Sequence, residues 1–262
     1  MVSYIGGTAM EYLKWFKNVV ALFLEILYWI FIGPFTGKPA KRQGIFQQMV
    51  FVGVRSVAIV FFVDIFTGIV LAMQTAYQLE KMGAALYVAS LVSISLCREL
   101  SPVLTGLVVA GRAGSAIAAE LGTMKVTEQI EALDTMAINP VRYLAVPRFL
   151  ALLVMLPALT ILGNLSGIIG GFIVGTQSLN INPDLYIQTS FKYLELKDIY
   201  TGLIKSVVFG MIIALIGCFE GLNTKGGAEG VGRATTRSVV ISFILIILAD
   251  CIITAIFYFS KS

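Results

Sequence analysis

Residues 98–148 read RELSPVLTGLVVAGRAGSAIAAELGTMKVTEQIEALDTMAINPVRYLAVPR. Two charges, Arg98 and Glu99, stand inside an apolar run. A ladder of small residues follows, then a polar amphipathic stretch, and Pro147 opens a second apolar run. A chain that only sits in a bilayer has no use for such an insert. One that takes up mechanical force from a soluble partner does. Within the insert, Val126, Ile130, Leu133 and Ala137 recur at helical spacing on one face. Glu128 and Glu131 lie toward the opposite face, with Asp134 at the boundary. The pattern predicts a surface helix over about 126–139, capped by Thr127 and stopped by Asn139-Pro140. Its early acids suit the positive end of a helix, and Pro147 fits the first turn of the next one. A helix of this kind makes a ridge for a groove on a soluble partner. The same spacing also fits an ordinary solvated loop helix.

Working outward, 58% of the 262 residues are hydrophobic and 13% are charged. A soluble domain cannot hide that much apolar surface, so the solvent is mostly lipid. Five spanning helices are predicted, at 49–73, 84–112, 148–175, 199–221 and 237–259. Each is near or above the ~20 residues a crossing needs. No sheet is expected, because an open β edge cannot live in hydrocarbon and no barrel-like alternation occurs. Residues 10–32 are apolar but carry Glu11, Lys14, Lys17 and Glu25, with aromatic residues toward their ends. A mid-span Glu25 is costly, so this segment reads as an interfacial elbow helix, with a sixth crossing as the alternative. The fold expected is an all-α membrane protein of one domain, 1–262. The elbow and a basic linker (37–42) occupy 1–48, and the five-helix body with its coupling helix occupies 49–262.

Lys and Arg set the orientation. Lys14, Lys17, Lys38, Lys41, Arg42, Arg112, Lys125, Arg142, Arg148, Lys225, Arg233 and Arg237 fall on one side, against Lys81, Lys192, Lys197 and Lys261 on the other. The positive-inside rule puts the first set, the insert and the N-terminus in the cytoplasm, and the C-terminus outside. The net charge of +4 is modest and does not suggest nucleic acid. There is no His, which removes the commonest metal ligand and general base. Cys97, Cys218 and Cys251 read as small buried hydrophobes. No cleaved leader or organelle transit sequence is legible, which favours a bacterial inner membrane.

Gly163, Gly167, Gly171 and Gly175 recur every four residues, a smooth stripe for close helix packing either within one chain or between two. Gly106, Ala110, Gly114, Ala118 and Gly122 form a second stripe. Pro102 and Pro157 are expected to kink their spans. Arg55, Asp64, Arg98, Glu99, Lys205, Glu220 and Asp250 are charges in or near spans, each costing ~2.5–3.5 kcal/mol at a helix centre unless it faces protein or water. Arg98 and Glu99 point about 100° apart, so each needs its own partner or a hydrated cavity. The structural alternative is an ion-pair network such as Glu99 with Lys205, or Arg55 with Asp64. Two cations and an acid around a kink also suit an amphipathic anion such as a phospholipid headgroup.

Three runs carry a family resemblance: RELSP at 98–102, AGRAGSAIAAELGTM at 110–124, and EQIEAL with NPVRYLAVPR inside 128–148. They resemble the MlaE/YrbE-type permeases, the membrane subunits of ABC transporters that work with MCE proteins. The glycine-rich GLNTKGGAEGVGRATTRSVV at 221–240 is similar as well, and in the chain itself it reads as a flexible hinge. The resemblance implies a homodimeric permease, a cytoplasmic ABC ATPase dimer, a periplasmic MCE hexamer and a STAS-type small protein bound through the ATPase. It implies phospholipid as cargo, moved between inner and outer membranes of a Gram-negative bacterium to maintain outer-membrane lipid asymmetry. Glu128, Glu131, Asp134 and Arg148 would then belong to the ATPase coupling region, and Arg98, Glu99 and Lys205 to the lipid cavity.

The chain lacks a GxxxxGK[ST] phosphate loop, so no cofactor is expected on it, and ATP with Mg would sit on the partner. An ion- or proton-coupled secondary carrier using Asp64, Glu99 and Asp250 is the alternative, against which stand the large insert and the lack of internal repeats. A lipid-modifying enzyme would need a nucleophile elbow or a metal cluster, and neither is legible.

Overall fold

The computed structural model describes residues 2–33 and 42–259, and every element among them is helical. The basic linker therefore lies outside the described residues except for Arg42, as does Lys261. The helices are α1 (Val2–Phe31), α2 (Arg42–Val52), α3 (Val57–Glu80), α4 (Val88–Ser95), α5 (Ser101–Val109), α6 (Ser115–Val126), α7 (Gln129–Thr135), α8 (Val146–Gln177), α9 (Pro183–Lys192), α10 (Leu196–Leu222) and α11 (Gly227–Phe259). Five runs are long and apolar enough to cross a membrane: Arg42–Glu80, Ala85–Val126, Val141–Gln177, Leu196–Leu222 and Gly227–Phe257. These are spans 1 to 5. Each predicted crossing lies inside or nearly inside one of them, but the helices run further, so the end near α7 projects well past the apolar zone.

Span 3 is the central post. Its α8 packs on α3, α10, α2 and α5, and its buried side includes Phe149, Leu152, Leu156 and Leu159. Close approach to α3 depends on glycine. A Cβ at Gly68 would fall 2.7 Å from the carbonyl carbon of Gly167, and one at Gly170 would meet Ile65 and Ile69 backbone at about 3.1 Å. The stripe at Gly163, Gly167, Gly171 and Gly175 is covered within the chain. Gly163 faces Asp64, Gly167 faces Leu96, Gly171 faces Val92, and Gly175 faces the Tyr186 ring. The second stripe turns toward span 4, where Gly106 meets Phe209 and Gly114 meets Ile213. Pro157 leaves α8 unbroken.

Spans 1 and 2 are irregular for identifiable reasons. Span 1 breaks at Gly53 into a 3-10 turn, Val54–Ser56, and Gly53 itself lies where a side chain would run into Met155. Arg112 takes up the disturbed backbone, its Nη1 donating to Ser56 Oγ (2.8 Å) and the Phe51 carbonyl (3.2 Å). Span 2 carries two π-helical turns, Leu96–Leu100 and Ala110–Gly114. Pro102 has no N–H to give to the preceding turn, and the backbone widens there into the first π turn.

Several local expectations are corrected. The surface helix spans only Gln129–Thr135, not 126–139. Thr127 does not cap it: its hydroxyl turns back to the Thr123 carbonyl, and Glu128 enters the helix at φ 60°. The glycine-rich segment is not an open hinge, since α11 begins at Gly227 and only 223–226 form the connection. Cys251 is exposed, whereas Cys97 and Cys218 are buried. The stretch before span 4 holds an unexpected helix, α9, started by Asn182, whose Oδ1 accepts the N–H groups of Asp184 (2.9 Å) and Leu185 (3.4 Å).

The outward faces of spans 1 and 5 stay apolar and uncovered, with Phe62, Phe66, Val70, Ile244, Leu248 and Ile256 exposed. That is the surface a lipid solvent requires. Among its described side chains, helix α1 packs on the bundle from Trp15 to Ile30. Trp15 Nε1 donates to Glu220 at the end of span 4 (3.2 Å), and Glu25 accepts from Asn139 Nδ2 just before span 3 (3.1 Å). Arg142 lies 5.2 Å from the Trp29 ring centroid. Glu25 is thus engaged by a polar partner beside the insert.

Candidate functional site

Span 2 brings Arg98 and Glu99 onto a widened turn. Here the Ser101 N–H closes back on the Leu96 carbonyl. Span 4 approaches closely, since a Cβ on Gly202 would lie 3.2 Å from Pro102 Cγ. The two charges then part, as their 100° separation requires. Arg98 Nε meets Asp198 Oδ1 at 2.6 Å. Glu99 pairs with Lys205. Lys205 is fully buried and also reaches Asp250 Oδ1 (2.8 Å) and Thr254 Oγ1 (2.7 Å). Thr254 in turn donates to Glu99 Oε1 at 2.9 Å. Three spans are thereby tied by one polar knot.

The sequence pattern named Arg98, Glu99, Lys205 and Asp250 but not Asp198 or Thr254 as members. A signal for them exists. Asp198 precedes Lys205 by seven residues and Thr254 follows Asp250 by four, so each pair shares a helix face. With them the electrostatics change: two cations against three acids (Asp198, Glu99, Asp250) leave a formal charge of −1 rather than a cationic patch. Arg55 does not pair with Asp64; it lies 5.7 Å from the Phe51 ring centroid.

The knot opens on one side. Arg98, Glu99, Leu71, Ile94, Ser95 and Leu100 line a cavity of about 500 Å³. Its wall is apolar apart from Ser95 and the two charges, while Lys205 and Asp198 stay behind it. A group entering this cavity meets a guanidinium edge and a carboxylate side by side over hydrocarbon. That arrangement has the chemistry to accept a molecule with an apolar body and a charged or zwitterionic head.

At the other end, α7 presents Glu128, Glu131 and Asp134 to solvent and buries Ile130. Lys125 pairs with Glu131 and holds its carboxyl below the usual glutamate range. Arg148 is not at this surface. It is 3% exposed, donates from Nη1 to the Leu144 carbonyl (2.7 Å), and meets Glu120 at 2.8 Å. The sequence could not separate a buried arginine from an exposed one at the start of a span. Among the described residues no group of three or more His, Cys, Asp or Glu is placed to hold a metal ion.

The class is thus a polytopic helical membrane protein with a charged cleft at one level and a protruding acidic helix at one end. Residues 45–256 match the family model described as Permease MlaE. The chain belongs to the MlaE permease family. It is 42% identical over 243 residues to a probable ABC transporter permease protein of Rickettsia typhi, covering 93% of each chain. A probable ABC transporter permease protein of Synechocystis is 42% identical over 236 residues, 90% of this chain and 89% of that one. The intermembrane phospholipid transport system permease protein MlaE of Haemophilus influenzae is 37% identical over 264 residues, 98% of each.

Proposed function

We propose that this chain is the permease subunit of an ABC transporter that moves phospholipid between two bacterial membranes. Membership of the MlaE family supports it, and so does likeness over nearly the full chain to a permease named for intermembrane phospholipid transport. The structural observation that carries it is the cavity at Arg98 and Glu99, whose apolar wall and paired opposite charges match a lipid's tail and head. The whole chain acts as one permease domain, with the insert end in the cytoplasm by its excess of Lys and Arg. Helix α1 then lies at the cytoplasmic membrane surface. About 21 Å of helix separates Trp15 from Trp29, yet both meet groups at the insert end.

In this reading the chain does not hydrolyse ATP. A cytoplasmic ATPase dimer does, pressing on α7 through Glu128, Glu131 and Asp134, which stand outward where a groove can reach them. Arg148 contributes by bracing the base of the insert through Glu120. Two copies of the chain, a periplasmic MCE hexamer and a STAS-type protein on the ATPase complete the assembly, and retention of outer-membrane lipid asymmetry is its outcome.

Native mass spectrometry of the chain co-expressed with its genomic neighbours tests this. Two permeases, two ATPases, a six-fold partner and retained phospholipid are expected. Charge reversal at Glu128 and Glu131 should remove the ATPase while the permease remains in the membrane. A lone chain without ATPase or lipid would overturn the proposal.

A further inference from the structure

A second cavity lies between spans 1 and 2, at the insert end of the bundle. It encloses about 720 Å³, and its wall is built from the start of span 1 and the end of span 2. About 24 Å of helix separates Arg55, which lines it, from Leu71, which lines the charged cleft. Helix α2 reads RQGIFQQMVFV, so the chain changes from polar to apolar along the cavity wall. That change marks the level at which lipid headgroups meet hydrocarbon.

The charge here is opposite to that of the cleft. Arg55 is exposed and lies 5.7 Å from the Phe51 ring centroid. None of the ion pairs among the described residues uses it. Arg112 stands 5.9 Å from the same ring. Glu120, the acid on the wall, already meets the buried Arg148 at 2.8 Å. Three arginines against one glutamate leave a formal charge of +2 around this cavity, whereas the cleft carries −1.

An arginine that only reaches for water needs no cavity. Arg55 shares one with Gln43 and Gln47, two exposed amides that can donate N–H groups, over a floor of Phe46, Val50 and Phe51. From that floor Val50, Val54, Val57 and Phe61 recur at three- and four-residue spacing toward the membrane centre, all exposed. Positive charge, amide donors and an apolar track at one interface suit an anion that carries hydrocarbon chains. A free phosphate has no use for the track.

We propose that this cavity binds the phosphate head of a phospholipid in the leaflet at the insert end, which is the cytoplasmic leaflet by the Lys and Arg bias. Arg55 anchors the phosphate through charge-assisted hydrogen bonds, and Gln43 and Gln47 donate to its remaining oxygens. The acyl chains lie along Val54, Val57 and Phe61. The site is separate from the cleft at Arg98 and Glu99, and it stands whether or not the chain carries lipid across the membrane.

Site-specific photocrosslinking tests this. The full-length chain carries p-benzoylphenylalanine in place of either Phe46 or Leu71. It is extracted in mild detergent with trace phosphatidylethanolamine and phosphatidylglycerol, irradiated, and read by mass spectrometry. A phospholipid adduct at position 46 is expected. Arg55→Ala should lower it by about tenfold, and Arg55→Lys, which keeps a phosphate-binding charge, should retain most of it. The adduct at position 71 reports the cleft and should not follow Arg55. Its absence would count against lipid in the cleft and leave the Arg55 site standing. Four results would overturn the proposal. These are no lipid adduct at position 46, an adduct unchanged in Arg55→Ala, an adduct with polypeptide in place of lipid, or an adduct abolished by excess inorganic phosphate. The second would mean ordinary boundary lipid, the third a contact with a second copy or another subunit, and the fourth a site for a free anion.

Discussion

Arg98 and Asp198 form a 2.6 Å ion pair between spans 2 and 4 in which the two partners are unequally buried. The arginine side chain is 33% exposed along the cavity, whereas the aspartate is 1% exposed. Asp198 also accepts the Glu195 N–H at 3.1 Å, which closes the start of α10. Losing Asp198 therefore leaves an arginine that already lies along the cavity and is not sealed in the bundle. Losing Arg98 strands a carboxylate in the bundle. Arg98→Ala should cost about 3–5 kcal/mol and Asp198→Ala about 1–3 kcal/mol. Thermal unfolding of the two variants in the same detergent checks the order, and a larger loss in Asp198→Ala contradicts it.

The Lys205 knot should show strong non-additivity. Either Glu99 or Asp250 alone can still balance the fully buried ammonium, so Glu99→Gln and Asp250→Asn should each cost about 1 kcal/mol. The double variant leaves Lys205 without a counter-charge and should exceed the sum of the singles by about 3 kcal/mol. A double-mutant cycle on unfolding midpoints measures this coupling. Simple additivity would show that a third anion faces Lys205.

How far the sequence was legible follows from the same residues. The five spans came directly from hydropathy, because lipid demands long apolar runs whatever the packing. The Glu99–Lys205 pair could be named as one option, because a buried charge must find a partner and few exist. Asp198 was missed because it stands at the first turn of α10, where an acid usually just caps a helix. Asp64 could be listed as costly but not placed beside Ser101, Thr105 and Gly163, since that convergence depends on how three spans rotate against each other. The inward turn of Arg148 to Glu120 was not legible for the opposite reason: basic residues at span ends usually reach water.

Two glycines separate packing from mere composition. Gly68 faces the backbone of Gly167, with its carbonyl carbon 2.7 Å from where a Cβ would sit, while Gly232 has nothing within 4 Å. Gly68→Ala should force α3 and α8 apart and cost about 1–3 kcal/mol. Gly232→Ala, inside α11, should be neutral or stabilise by up to about 1 kcal/mol through helix propensity. Unfolding midpoints of both variants decide it. Equal effects would mean that the α3–α8 contact is looser than the geometry shows.

Glu131 provides a readout of the insert that needs no partner. Lys125 draws its carboxyl below the ordinary glutamate value of 4.5, first through their hydrogen bond. A depressed folded pKa means that the contact is fully present above the ordinary glutamate range and fades as pH falls below it. Holding α7 against α6 by this pair should therefore be independent of pH near neutrality and weaken only in acid. Lys125→Ala should return the Glu131 titration midpoint toward 4.5, which carbon-detected NMR of labelled glutamate can follow. Amide exchange in Gln129–Thr135 should quicken in the same variant at neutral pH, because one tie between the short helix and the bundle is gone, leaving the apolar packing of Ile130 and Leu133. An unchanged midpoint would place the cause of the shift elsewhere on the insert, and unchanged exchange would show that this apolar packing alone anchors it.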